Sequence, residues 1–116
     1  MNDRPRRVLL YGATGYSGRL IAAEGLLHRM ADGPYFRMIL AARDHDNLSQ
    51  VAKDNGMQCR CFGLDHPDEV LRQLEDLEVD VVINAAGPFA WTAERLARAA
   101  LAARCHYVDI NGEVDV

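Results

Sequence analysis

Gly12, Gly15 and Gly18 stand at the spacing G-x-x-G-x-x-G, directly after the apolar run Val8-Leu9-Leu10-Tyr11 and directly before a helical pattern. Phosphate binding is the chemistry this order can do. Gly12 can take the backbone angles of a tight turn. A small residue at Gly15 lets the main chain approach a pyrophosphate, and Gly18 lets the first helix pack closely on the first strand. Main-chain N–H groups at the helix start, with the helix dipole behind them, then favour an anion. A glycine triplet alone is a weak sign. One that joins a strand to a helix has the context that gives it meaning.

Such a turn needs a sheet to hold it. Arg7 to Tyr11 reads as a first strand, buried on both faces. Ser17 to Met30 reads as a helix whose apolar positions Leu20, Ala23, Leu27 and Met30 follow three-four spacing, ended by Asp32-Gly33-Pro34. Phe36 to Ala41 is a second strand. A short helix from about Leu48 to Lys53 follows, with Asp46 or Asn47 as cap and Gly56 as stop. Gln58 to Phe62 is a third strand. A third helix starts at Asp65-His66-Pro67 and turns Val70, Leu71, Leu74 and Leu77 to the core. Val79 to Asn84 is a fourth strand, broken by Ala85-Ala86-Gly87-Pro88. Thr92 to Ala103 is an alanine-rich helix, and Cys105 to Ile110 is a fifth strand. Strict alternation predicts an α/β fold with a five-stranded parallel sheet in the order 3-2-1-4-5, right-handed crossovers and helices on both faces. The ligand crevice then lies between strands one and four, bordered by Gly12 to Gly18 and by Asn84 to Phe89.

The end of strand two discriminates between the two nicotinamide dinucleotides. An acidic residue there accepts from the ribose hydroxyls, and an arginine pairs with a 2′-phosphate. The chain reads Ile39-Leu40-Ala41-Ala42-Arg43-Asp44. Arg43 is the first charge after the strand, and its guanidinium can hold phosphate bidentately. That favours NADP(H) over NAD(H). Asp44, one position later, is the competing reading, and an exposed loop arginine is the plain one.

Composition narrows the class. The 116 residues are 49% apolar and 26% charged, with net charge −4, as expected of one soluble globular domain spanning residues 1–116. There is no basic excess to suggest a nucleic-acid partner, and Arg4-Pro5-Arg6-Arg7 reads as a solvated arm. The apolar stretch after it meets Gly12 too soon for a secretory signal, and no run has the length of a membrane span. Cys59, Cys61 and Cys105, an odd count without C-x-x-C, suggest reduced thiols in the cytoplasm. Cys59 and Cys61 share a strand face and read as small buried hydrophobes. No metal site is expected, because Cys-x-Cys supplies too few ligands and the histidines are scattered.

Four blocks in order carry a resemblance: Tyr11-Gly12-Ala13-Thr14-Gly15-Tyr16-Ser17-Gly18, Ala41-Ala42-Arg43, Val82-Ile83-Asn84-Ala85-Ala86-Gly87-Pro88-Phe89, and His106-Tyr107-Val108-Asp109-Ile110-Asn111-Gly112-Glu113. Together they resemble the N-terminal domain of the saccharopine dehydrogenase/reductase superfamily, which includes trans-acting enoyl reductases, over nearly the whole chain. The resemblance implies an NADP(H)-binding Rossmann domain. By position it implies Gly12, Thr14, Gly15, Tyr16 and Ser17 at the pyrophosphate, with Gly18 behind them. It places Arg43 at the 2′-phosphate and Ala85, Ala86, Gly87 and Pro88 along the nicotinamide half. Asp109 and Glu113 belong to the last block without an assigned chemistry. Two departures stand out: Ala42 where such families often have glycine, and Ala103-Arg104-Cys105 where the fourth helix often ends in glycine.

The resemblance also implies a longer enzyme, with a substrate-binding and dimerisation region after Val116. The chain is then the cofactor half of a reductase, expected to be inactive alone and prone to self-association through exposed apolar surface. No acid/base group can be assigned. The Tyr-x-x-x-Lys pair of short-chain dehydrogenases is absent, since the only lysine is Lys53 and Ser49 stands four before it. His106 and Tyr107 alternate across a strand and read as structural. Two classes stay open: the cofactor domain of an NADP(H)-dependent oxidoreductase, and a nucleotide-sensing module without turnover. An adenosylmethionine-binding domain is disfavoured, because that ligand brings no pyrophosphate to the turn.

Overall fold

The computed structural model describes residues 4–110, so Asn111, Gly112 and Glu113 of the last block lie outside the described residues. The chain alternates without exception: β1 (Arg6–Tyr11), α1 (Tyr16–Leu27), β2 (Phe36–Ala42), α2 (His45–Asn55), β3 (Gln58–Cys61), α3 (Pro67–Asp76), β4 (Val81–Asn84), α4 (Phe89–Ala102) and β5 (His106–Asp109). All pairs are parallel and the strand order is β3-β2-β1-β4-β5, as alternation predicts. After β3 the chain returns from the sheet edge to pair with β1 as far as Tyr11↔Asn84, and the connections leaving β1 and β4 pass to opposite faces of the sheet. That is the switch point of a Rossmann-type sheet.

The central strands are apolar on both sides because both sides are covered. Leu9, Tyr11, Ile39 and Val82 face a core with Val70, Leu74, Leu96 and Ala100 from α3 and α4. Val8, Leu10, Met38 and Leu40 face a second core with Ala22, Leu48, Val51 and Ala52 from α1 and α2.

The apolar face of α1 differs from expectation. Gly18, Ala22 and Gly25 are its buried residues, while Leu20 and Leu27 are exposed. Small residues at three-four spacing let the helix axis come close to the sheet, and larger side chains cannot fit there. The helix also ends at Leu27, three residues before the expected Met30. α2 starts earlier than expected, because Asp44 rather than Asp46 or Asn47 is its N-cap and accepts from the Asn47 amide at 3.2 Å. α4 likewise begins at Phe89, with Pro88 before it.

Two further expectations are corrected. The basic arm is not merely solvated. The Arg4 guanidinium reaches both Asp80 carboxylate oxygens at 3.1 and 3.2 Å, and the Arg7 amide donates to Asp80 at 2.8 Å. Cys61 is exposed rather than buried, because β3 is a sheet edge; its thiol donates to the Arg43 carbonyl at 3.2 Å.

The four helices among the described residues close in the same way. The amides of Met30, Met57, Val79 and Cys105 reach back five residues to the carbonyls of Gly25, Ala52, Leu74 and Ala100. This closure needs a residue in the left-handed region, where a side chain is disfavoured. Gly56 fills that place after α2 with φ +62°, but Arg29, Glu78 and Arg104 fill it elsewhere with φ 58°, 51° and 61°. The glycine missing before β5 therefore leaves the turn intact and strained. Arg104→Gly is expected to stabilise the chain by about 0.5–1 kcal/mol and to raise the melting midpoint by about 2–4 °C. A midpoint below that of the unsubstituted chain in a thermal scan would refute this.

Candidate functional site

The carboxyl ends of the strands open on one cleft of about 440 Å³. One wall is the turn after β1. Gly12 sits at φ +88°, and its amide and that of Ala13 both donate to the Ala41 carbonyl, at 2.8 and 3.2 Å. Thr14 and Gly15 follow along the cleft. Gly15 is the residue before α1 and offers no side chain to the first-turn amides, so these N–H groups stay available to an anion. Gly18 is beneath the turn: a Cβ there would lie 2.0 Å from the Gly12 carbonyl oxygen. Tyr16 and Ser17 form the exposed first turn of α1 without lining the cleft, and the Tyr16 side chain is 83% exposed.

The opposite wall is Ala85, Ala86, Gly87 and Pro88, continued by Trp91 and Thr92 at the start of α4. The two walls touch through their backbones. The Ala85 amide donates to the Tyr11 carbonyl at 2.8 Å, and a Cβ on Gly12 would fall 2.6 Å from the Ala86 nitrogen. Beneath this wall, Asn84 is fully buried. Its side chain accepts from the Ala86 amide at 2.9 Å and donates to Thr92 Oγ1 at 3.0 Å and to the Tyr107 hydroxyl at 3.1 Å.

The far end of the cleft is formed by Ala42, Arg43, Asp44 and Leu64. Arg43 is exposed, and its aliphatic stem runs past Gly63, where a Cβ would lie 3.5 Å from Arg43 Cδ. No ion pair or side-chain hydrogen bond occupies its guanidinium among the described residues. Asp44, by contrast, is committed: one carboxylate oxygen takes the Asn47 amide and the other takes Asn47 Nδ2.

Two tyrosines near the cleft are poor acid/base groups. Tyr11 donates to the Phe62 carbonyl at 2.7 Å, and burial pushes its pKa up to about 12 despite the opposing charge of Arg43. It ties the loop after β3 to the end of β1. Burial also raises Tyr107, with the Asn84 hydrogen bond opposing and the Asp109 carboxylate adding to the shift. Both remain neutral hydroxyls through the ordinary pH range. Among the described residues no group of His, Cys, Asp and Glu could hold a metal ion, and no helix is long and apolar enough to cross a membrane.

Of the residues the sequence singled out, Gly12, Thr14, Gly15, Arg43 and the Ala85–Pro88 loop line one cleft, and Tyr16, Ser17 and Gly18 do not. Leu64, Trp91 and Thr92 line it too and were not anticipated. For Thr92, the signal available was a polar residue one helical turn after the Gly-Pro break. For Leu64, it was an apolar residue directly after Phe62-Gly63.

The profile of the saccharopine dehydrogenase NADP binding domain matches residues 8–115. The trans-acting enoyl reductase of Mycobacterium tuberculosis (strain ATCC 25618 / H37Rv) is 30% identical over 115 residues, which are 97% of this chain and 27% of that protein. A lipid droplet localized protein of Caenorhabditis elegans is 29% identical over 116 residues, covering 91% of this chain and 26% of that protein. The chain thus spans about a quarter of the length of these curated relatives. Among solved structures, apo saccharopine dehydrogenase (L-Glu forming) from Saccharomyces cerevisiae superposes with a TM-score of 0.73 at 20% identity, over 95% of this chain and 22% of that one. The binary complex of leucoanthocyanidin reductase with NADPH from Vitis vinifera gives 0.70 at 21% identity, over 87% and 34%. At these identities the solved structures establish the fold.

Proposed function

The chain belongs to the saccharopine dehydrogenase NADP binding domain family, and from that premise we propose that its cleft holds NADP(H) in preference to NAD(H), as the cofactor half of a reductase. When bound, the dinucleotide supplies hydride transfer at its nicotinamide ring; the protein supplies orientation. Gly12, Thr14, Gly15, Tyr16 and Ser17 hold the pyrophosphate at the uncapped start of α1, with Gly18 setting how close that helix comes. Ala85, Ala86, Gly87 and Pro88 run along the nicotinamide half.

The observation that carries the preference is the division of labour at the end of β2. Asp44 has one carboxylate oxygen on the Asn47 amide and the other on Asn47 Nδ2, so it meets a ribose hydroxyl only through its remaining lone pairs. Arg43, one residue earlier, lines the same cleft with its guanidinium unengaged by the described residues. A dianionic 2′-phosphate matches that fork. Titrating the chain with NADPH and NADH in a calorimeter is expected to give tighter binding of NADPH. Equal affinities, or a preference for NADH, would overturn the reading.

Self-association accompanies it. Leu27, Tyr35 and Leu101 are 76–80% exposed, and contact between copies would cover such side chains. Light scattering should rise with concentration faster than for a monomer, and a strictly monomeric chain at high concentration would count against it.

A further inference from the structure

We propose that Asn84 and Thr92 are positioning residues that set the nicotinamide wall of the cleft, through a closed ring of hydrogen bonds around Ala86. The proposal rests on the dinucleotide reading of the cleft. Three hydrogen bonds among Asn84, Ala86 and Thr92 close the ring. Asn84 Oδ1 accepts from the Ala86 amide at 2.9 Å, and the Ala86 carbonyl accepts from the Thr92 hydroxyl at 2.7 Å. Thr92 Oγ1 in turn accepts from Asn84 Nδ2 at 3.0 Å, which closes the circuit. The second Asn84 N–H goes to the Tyr107 hydroxyl at 3.1 Å, which itself lies 3.4 Å from an Asp109 carboxylate oxygen.

Packing alone gives no reason for this arrangement. Asn84 ends an apolar strand and is fully buried, where an unpaired amide would be costly and an aliphatic residue would fill the space without polar partners. The amide instead serves one loop residue. It and Thr92 take both main-chain polar groups of Ala86, one from each peptide flanking that residue, so neither peptide can rotate and the Ala86 carbonyl cannot turn into the cleft. What faces the cleft is then an apolar wall of Ala85, Ala86 and Pro88, suited to the flat face of a ring. Ala86 is also the residue whose backbone packs against Gly12, so its rotation would reach the opposite wall as well. The circuit works only with a group at position 92 that both donates and accepts. A hydroxyl does so.

The test separates the two halves of the ligand. NADPH and 2′,5′-ADP share the adenosine and 2′-phosphate, and only NADPH carries the nicotinamide. Thr92→Val keeps the shape and removes the hydroxyl. It is expected to weaken NADPH about ten-fold, the scale of a lost buried hydrogen bond, while 2′,5′-ADP changes less than two-fold. The blue shift of bound NADPH fluorescence should shrink in the same variant. Thr92→Ser should return NADPH to within three-fold of the unsubstituted chain. Equal loss of both ligands, or no loss of NADPH, would overturn the proposal. Should Thr92→Val fail to fold, Tyr107→Phe carries the test: a loss of three-fold or more for NADPH alone supports the circuit, and any other pattern in that variant refutes it. An unsubstituted chain that binds neither ligand would instead sink the dinucleotide reading, a separate and visible failure.

Discussion

Adding one methyl group at Gly18 is expected to cost the chain about 3–4 kcal/mol, a large share of the total stability of a domain this size. A Cβ at this position would lie 2.0 Å from the Gly12 carbonyl oxygen, 2.7 Å from Ala13 Cα and 2.8 Å from the Gly12 carbonyl carbon. All three obstacles are backbone, and the turn that holds them is pinned to β2 through the Ala41 carbonyl. Neither side can give way locally, so α1 must lift from the sheet and leave the packing of Ala22 and Gly25. Gly25→Ala on the same helix is the control. There the Cβ would meet the Met38 and Met57 side chains at 3.1–3.3 Å, which are flexible and can shift. Alanine's better helix propensity offsets much of that crowding, so Gly25→Ala should stay within about 1 kcal/mol of the parent. Urea midpoints of the two variants against the unsubstituted chain give the comparison. A Gly18→Ala chain as stable as the parent would show that the close approach of α1 is not required.

That prediction marks what could be read from the residues and what could not. The glycine turn, its strand and the sheet order were legible because each rests on local pattern: an apolar run, three spaced glycines and strict alternation. The buried face of α1 was not. Leu20, Ala23 and Leu27 follow helical spacing as well as Gly18, Ala22 and Gly25 do, and hydrophobicity favours the larger set. The deciding constraint is the distance between helix and sheet, which only small residues permit. The start of α2 was missed because His45, Asp46 and Asn47 are polar and give no periodic signal, although Asp44 caps them. β4 begins at Val81 rather than Val79 because the Val79 amide is spent on closing α3, at the Leu74 carbonyl. The Asn84–Thr92 circuit joins residues eight apart across a loop and helix turn, a separation no periodicity encodes. Its one visible trace is a polar residue at the end of an apolar strand.

Arg43→Ala should weaken NADPH binding by about 2–2.5 kcal/mol, roughly fifty-fold, and leave NADH within about three-fold. The selectivity follows from where the charge sits. Arg43 lies at the end of the cleft formed by Ala42, Asp44 and Leu64, away from Ala85–Pro88, so removing it touches only what is bound at the end of β2. Its stem is exposed and supports no core residue, and the described residues make no ion pair with it, so little stability is lost with the side chain. The Asp44 cap remains and continues to start α2, which keeps the rest of this wall in place. Arg43→Lys distinguishes charge from geometry. A point charge keeps the long-range attraction to a 2′-phosphate but not the two parallel hydrogen bonds of a guanidinium fork, so its affinity should fall between parent and alanine variant. Raising the salt concentration should narrow the gap between NADPH and NADH in the parent chain, because an exposed ion pair is screened. It should change little in Arg43→Ala. If NADPH and NADH lose affinity equally on substitution, Arg43 serves the fold of the β2–α2 turn, and the discrimination lies with another residue.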